Sequence, residues 1–232
     1  KAAKPEDSGY TLLPMSRMRQ IIAKRMLESK REIPAWQCSM DVDMGACVAL
    51  RESFLAKKGL KLSYNDIIAK ATAVAAGEYE LIRARYEEGE LRLGKHINIG
   101  LAVGLEEALL VPVLKNVEEK ELREISAGFK ELVEKARSGR LSPGDMGCGS
   151  VTISNLGMYG VKSFTAIVNP PESMILALGG IRTEAVWNGQ AFEARQIMTM
   201  TGSFDHRFID GAYGAGFMLR LKTLLEEPAL ML

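Results

Sequence analysis

Residues 149–181 read "GSVTISNLGMYGVKSFTAIVNPPESMILALGGI", and this stretch decides the fold. Its opening, "GSVTISNLG" (149–157), is a β-rich run into a turn, while "SMILALGGI" (173–181) is apolar enough for a strand covered on both faces. Just downstream, "RQIMTMTGSFDH" (195–206) predicts another strand, and "GAYGAGFMLRLKTLLEEP" (211–228) predicts a helix that Pro228 ends. Two or more strands close together, at least one buried on both sides, require helices to cover them.

Those helices lie upstream. "PMSRMRQIIAKRMLESKR" (14–31) places Met18, Ile21, Ile22, Arg25 and Met26 on one side at helical spacing, with Ser16 as a possible cap. Ile33-Pro34 ends that helix, and "AWQCSMDVD" (35–43) alternates as a half-buried strand should. A second helix over "GACVALRESFLAKKG" closes at Gly59, and a third opens at Ser63, with Asp66 three residues on as a capping-box partner. Short strands are expected over 90–93, 96–103 and 108–114, then a long amphipathic helix over 121–138 that stops at Gly139. Strands and helices mix without strict βαβ alternation, so the class is α/β of the mixed α+β kind: a mixed sheet with packed helices.

Composition agrees with this picture. The chain has 232 residues, 47% hydrophobic and 25% charged, enough to bury a sizeable core in one domain. A formal net charge of +1 provides no general field for nucleic acid or an anionic membrane. Three cysteines without a CxxC pair argue against a disulfide framework and for a reducing compartment. No apolar run reaches the length needed to cross a bilayer. The opening "KAAKPEDSG" is polar, so residues 1–12 are expected to be a linker stub and 13–232 the folded domain.

One of the two histidines, His206, falls where the last strand hands over to the last helix, four residues ahead of Asp210-Gly211. A neutral imidazole suits proton abstraction near neutral pH, and a thiol, mostly protonated there, is a natural client. The alternative is a histidine that caps the strand end; spacing alone supports both. Asp210 is expected in the first turn of the helix, where its charge is favourable. Taken alone, Ser154 and Asn155 read as a turn closed by side-chain hydrogen bonds. His96, at a strand start, is read as structural, and the twelve methionines as core filling and subunit contact.

The stretch 151–179 followed by "DHRFIDG" resembles the catalytic domain of dihydrolipoamide acyltransferases, the core component of 2-oxo acid dehydrogenase complexes. "MSRMRQIIAKRM", "LKLSYNDIIAKA", "HINIGLAV", "LLVPVLKN" and "SNLG" look like further landmarks of that family, in its order, from about Leu13 to Leu232. The resemblance implies a fold like chloramphenicol acetyltransferase and transfer of an acyl group, acetyl above all, between a dihydrolipoamide thioester and coenzyme A. It implies His206 as the general base for the attacking thiol, Ser154 as the hydroxyl donor to the tetrahedral oxyanion, and Asp210 as an ion-paired residue shaping the site. The cation for Asp210 is expected among Arg17, Arg19 and Arg25. Arg51 and Ser63, together with Ser154 and Asn155, match the coenzyme A side, where a guanidinium grips phosphate through paired hydrogen bonds. Without the resemblance, Arg51 reads as a solvated helix face and Ser63 as a plain cap.

The partners implied are a homotrimer building a 24- or 60-subunit core, a lipoyl group carried on a separate domain, and the 2-oxo acid dehydrogenase and dihydrolipoamide dehydrogenase components. The compartment implied is the cytoplasm of a bacterium or archaeon, or the mitochondrial matrix of a eukaryote. No metal site is expected. The reading from another class is a structural core module that assembles without transferring acyl groups, or that prefers another acyl group. The apolar tail "EEPALML" has a motive to join trimers. Three positions depart from the family pattern: Gly104 to Glu107 where an Asp often follows "GLAV", Ala35 where His is common, and Arg83 where Asn is common.

Overall fold

The computed structural model describes residues 11–105 and 108–232. Most of the expected linker stub, residues 1–10, lies outside the described residues, as do Glu106 and Glu107 of the altered loop. In chain order the elements are α1 (Arg17–Glu32), β1 (Ala35–Asp43), α2 (Gly45–Lys58), α3 (Tyr64–Glu78), β2 (Ala84–Glu87), β3 (Glu90–Leu93), β4 (Ile99–Leu101), β5 (Val103–Gly104), β6 (Leu109–Leu110), β7 (Val113–Leu114), α4 (Leu122–Arg137), β8 (Val151–Asn155), β9 (Met174–Leu178), β10 (Arg182–Trp187), β11 (Phe192–Asp205) and α5 (Gly211–Glu226). The class read from the sequence, a mixed sheet with packed helices, is the observed one.

Seven strands form the main sheet in the order β1-β11-β9-β8-β4-β7, with β10 pairing the first half of β11. The β8–β9 and β8–β4 pairs are parallel and the others antiparallel. All five residues of β9 are buried, which is why "MILAL" carries no polar alternation. In β1 the alternation is kept: Trp36, Cys38, Met40 and Val42 turn inward while Gln37, Ser39 and Asp41 are exposed. One core joins α3, α4 and α5 to the sheet through residues such as Ile68, Phe129, Ile153, Leu176 and Phe217. Six methionines, at 44, 174, 198, 200, 218 and 231, belong to it.

The local signals were placed well. Ser16 caps α1 by accepting from the Arg19 amide, Gly59 closes α2 at φ +62°, and the Ser63–Asp66 capping box opens α3. The strands expected over 96–103 and 108–114 are broken into four short pieces, and β2 and β10 carry no expectation at all. Both missed strands exist through their partners: β2 pairs β3 in a small hairpin, and β10 pairs β11. His96 Nδ1 lies 3.0 Å from Glu118 Oε1, while Glu118 Oε2 accepts the Ile97 amide.

The apolar stripe of α1 is the exception to core formation. Ser29 is the one buried residue of the helix, donating to the Val168 carbonyl at 2.6 Å, while Met18 and Ile21 of the stripe are about half exposed. Among the described residues no helix is long and apolar enough to cross a membrane.

Candidate active site

The end of β11 is held by a compact set of bonds that aims the next residue outward. Asp205 is buried at 1% exposure, and its carboxylate accepts the Arg207 amide and the Arg207 guanidinium, Nη2 to Oδ2 at 2.6 Å. A buried charge of this kind is tolerated because its partner donates a fork of charge-assisted bonds. Those bonds also raise the Arg207 pKa above its ordinary value. The Arg207 guanidinium lies over the Tyr86 ring at 4.3 Å, and the Asp205 carbonyl accepts the Ile209 amide at 3.0 Å. Trp36 stacks on Phe204 and donates Nε1–H to the Ile209 carbonyl at 2.8 Å, clamping the turn from β1. Gly214 makes room for this, since a Cβ there would come within 2.6 Å of the Trp36 ring.

His206 rides on that turn. Its amide donates to the Pro34 carbonyl at 3.2 Å, and its ring lies 5.9 Å from the Trp36 ring and is exposed. Among the described residues no hydrogen bond reaches the imidazole, so both nitrogens are open to a ligand. This is the pose of a side chain presented by rigid elements, and the strand-cap role falls to the His206 amide instead. Asp210 is the N-cap of α5: its Oδ1 accepts the Tyr213 amide at 2.8 Å. The ion pair expected between Asp210 and an arginine of α1 does not form within one chain. Arg25 donates Nη2–H to the Pro170 carbonyl at 2.8 Å, and the Asp210 carboxylate is turned into the first amides of its own helix.

A second corner forms at the opposite end of the sheet, where β8 meets the start of α3. Ser154 is half-buried near the end of β8, and its hydroxyl makes no hydrogen bond among the described residues. Asn155 closes the turn by accepting the Gly157 amide at 2.8 Å and also donates to Asn65 Oδ1 at 2.8 Å, tying β8 to α3. Arg51 is not a solvated residue: Nε–H donates to the Leu62 carbonyl at 2.8 Å and the guanidinium lies 4.3 Å over the Tyr64 ring. Arg51 and Ser63 therefore meet at one loop. Ser63, Asn65, Lys61, Lys130 and Arg137 line a cleft of about 660 Å³ beside them, cationic overall. Asn65, Asp205, Arg207 and Trp36 were not foreseen. The signal for Asp205 and Arg207 was an acid and an arginine two positions apart at a strand end, which only the buried position of Asp205 turns into a clamp.

The two corners do not meet inside one chain. Ser154 is level with Ala177 on β9, Ala177 is level with Thr201 on β11, and His206 lies five residues beyond Thr201. That is roughly 15 Å along the strand and about 10 Å across two strand spacings. Arg83, one of the departures from the family pattern, belongs to neither corner and lines a separate cleft beside the β2–β3 hairpin.

Residues 7–232 match the family model described as 2-oxoacid dehydrogenases acyltransferase (catalytic domain). The dihydrolipoyllysine-residue acetyltransferase component of the pyruvate dehydrogenase complex of Rickettsia felis is 40% identical over 232 residues, covering 98% of this chain and 56% of the relative. The chain thus spans about half the length of the curated relatives it matches. A solved dihydrolipoamide acetyltransferase from Azotobacter vinelandii superposes with TM-score 0.92 at 35% identity, over 96% of this chain and 93% of that one. A solved cubic core of a pyruvate dehydrogenase multienzyme complex superposes with TM-score 0.93 at 34% identity, over 100% and 99% of the two chains. Chloramphenicol acetyltransferase, at 15% identity and TM-score 0.57, shares the fold. The Azotobacter protein was studied for the catalytic roles of a serine, a histidine 52 positions later and an asparagine four beyond that. Ser154, His206 and Asp210 have the same two separations, with aspartate in the asparagine's place. By family model, identity over nearly its whole length and superposition, the chain belongs to the 2-oxoacid dehydrogenase acyltransferases, as a catalytic domain.

Proposed function

We propose that residues 13–232 form the acyl-transferring core domain of a 2-oxo acid dehydrogenase complex, moving an acetyl group between dihydrolipoamide and coenzyme A. The observation that carries this reading is the pair of unpartnered groups, the His206 imidazole and the Ser154 hydroxyl, presented at the spacing found in the studied acetyltransferase. His206 takes the proton from the coenzyme A thiol. The thiolate attacks the carbonyl carbon of acetyl-dihydrolipoamide, and the Ser154 O–H donates to the oxyanion that forms. Collapse expels the dihydrolipoamide sulfur, which recovers the proton from the imidazolium.

Since a base acts only within hydrogen-bond reach, His206 of one copy must work with Ser154 of another. Assembly therefore belongs to the mechanism, and a trimer repeated into a larger core fits it. Coenzyme A lies along Ser63, Asn155 and the cationic cleft, with Arg51 near its phosphates. The lipoyl group arrives on a separate domain, with the dehydrogenase components as further partners, in the cytoplasm of a prokaryote or the mitochondrial matrix of a eukaryote. Asp210 is a positioning residue at the start of α5.

Acetyl transfer from acetyl-coenzyme A to free dihydrolipoamide tests this directly. His206→Ala should lower kcat by about 10²–10⁴ and Ser154→Ala by about 10²–10³, with particle mass unchanged. Near-normal turnover in both variants would sink the assignment and favour a core module without transfer activity.

A further inference from the structure

The cleft beside the β2–β3 hairpin has no part in the proposed transfer, and its lining is unusually cationic. It encloses about 410 Å³ and is walled by Arg83, Arg85, Arg92 and Lys95 on the hairpin side and by Cys148 and Ser150 on the other. That volume lies within the range of small-molecule sites. Arg83 lines the cleft and has a buried Nε–H with no acceptor, one of four such buried side-chain atoms among the described residues. Arg85 donates Nη2–H to the Gly149 carbonyl at 3.1 Å, which fixes its guanidinium against the cleft wall. The acid in the lining, Glu87, is already paired with Arg92 at 3.1 Å. Ser150, 5% exposed, accepts the Asn98 amide at 3.2 Å and keeps its O–H proton to donate.

We propose that this cleft binds a phosphate-bearing small molecule at a site distinct from the acyl-transfer centre. Three guanidiniums and an ammonium against one carboxylate leave a surplus of positive charge that a monocarboxylate does not balance and a phosphate dianion or diphosphate does. Arginine forks match phosphate oxygens with paired bonds, and a tetrahedral phosphate has enough oxygens to take Arg83, Lys95 and the Ser150 hydroxyl together. The coenzyme A phosphates do not account for the site. The cleft lies at the starting ends of β4 and β8, whereas Ser63 and Asn155 lie at the finishing end of β8.

Cys148 is the exposed one of the three cysteines and stands in the cleft wall, so it serves as a built-in reporter. The assembled protein would be titrated calorimetrically with inorganic phosphate, pyrophosphate and succinate, each also tested for protection of Cys148 against a maleimide, with Cys148→Ser as the labelling control. Pyrophosphate should bind and slow labelling. Arg83→Met should weaken its binding about tenfold or more, Arg83→Lys should weaken it less, and acetyl transfer should be unchanged in both. Absence of pyrophosphate binding by the unmodified protein, or undiminished binding and protection in Arg83→Met, overturns the site. Succinate binding more tightly than both phosphates overturns the ligand class.

Discussion

Glu172 shows how one residue sets a pH dependence for the whole fold. It is 3% exposed, accepts from Thr152 Oγ1 at 2.6 Å and from Asn169 Nδ2 at 2.8 Å, and leaves no room for a side chain on Gly149. Burial pushes its carboxyl up from 4.5 to about 7; the two hydrogen bonds and the charges of Arg85 and Arg25 pull the other way and lose. Between those values the unfolded chain has released a proton that the folded chain still holds. Stability therefore falls as pH rises from about 4.5 to 7 and levels off above, by on the order of 3 kcal/mol for this group. Glu172→Gln should flatten that segment of the profile, since an amide does not ionise, and the Thr152 hydroxyl turns to accept its N–H. Urea unfolding at pH 5, 6, 7 and 8 measures it, and an unchanged slope would rule the explanation out. Nothing in "NPPES" announced a protonated carboxyl. The acid is ordinary, and its environment is supplied by β8 and the loop after Cys148.

At the scale of single elements, the start of α3 carries two roles on one side chain. Ser63 completes a capping box with Asp66 and faces the cleft assigned to coenzyme A. Ser63→Ala should cost about 1 kcal/mol of stability, and Ser63→Asp, itself a good N-cap, should recover it. The KM for coenzyme A should rise in both variants and further in the aspartate, because a carboxylate repels phosphate. Thermal unfolding beside steady-state kinetics separates the roles; a KM restored together with stability would leave Ser63 as a cap alone. Caps and stops of this kind were readable in the sequence because they depend on neighbours three or four residues away. Strands β2 and β10 were not, because each is held by pairing with another strand and has little apolar alternation of its own.

At the scale of the whole molecule, the proposed transfer needs more than one chain. Met18 and Ile21 on the apolar stripe of α1 and the tail residues Leu230 and Leu232 are apolar surface that stays about half exposed or more among the described residues. Such surface is what an obligate assembly buries. Co-expressing His206→Ala and Ser154→Ala subunits, each inactive alone, should restore roughly a quarter of the activity if subunits mix freely and each site takes one residue from each of two copies. Activity no higher than in the separate variants would place both residues' work within one chain.

The division between sequence and structure follows from the range of the forces involved. Helix caps, the buried strand "MILAL" and the class of the sheet were set by local pattern, and His206, Asp210 and Ser154 were singled out by the resemblance of their motifs to a family, all of which the chain carries along its length. That Asp205 and Arg207 clamp the His206 turn, that Asn155 reaches Asn65, that Arg83 belongs to another cleft and that Ser154 and His206 stand at opposite ends of one sheet were decided by strand register. Register is fixed by which side chains pack against each other across the core, and no segment holds that information alone.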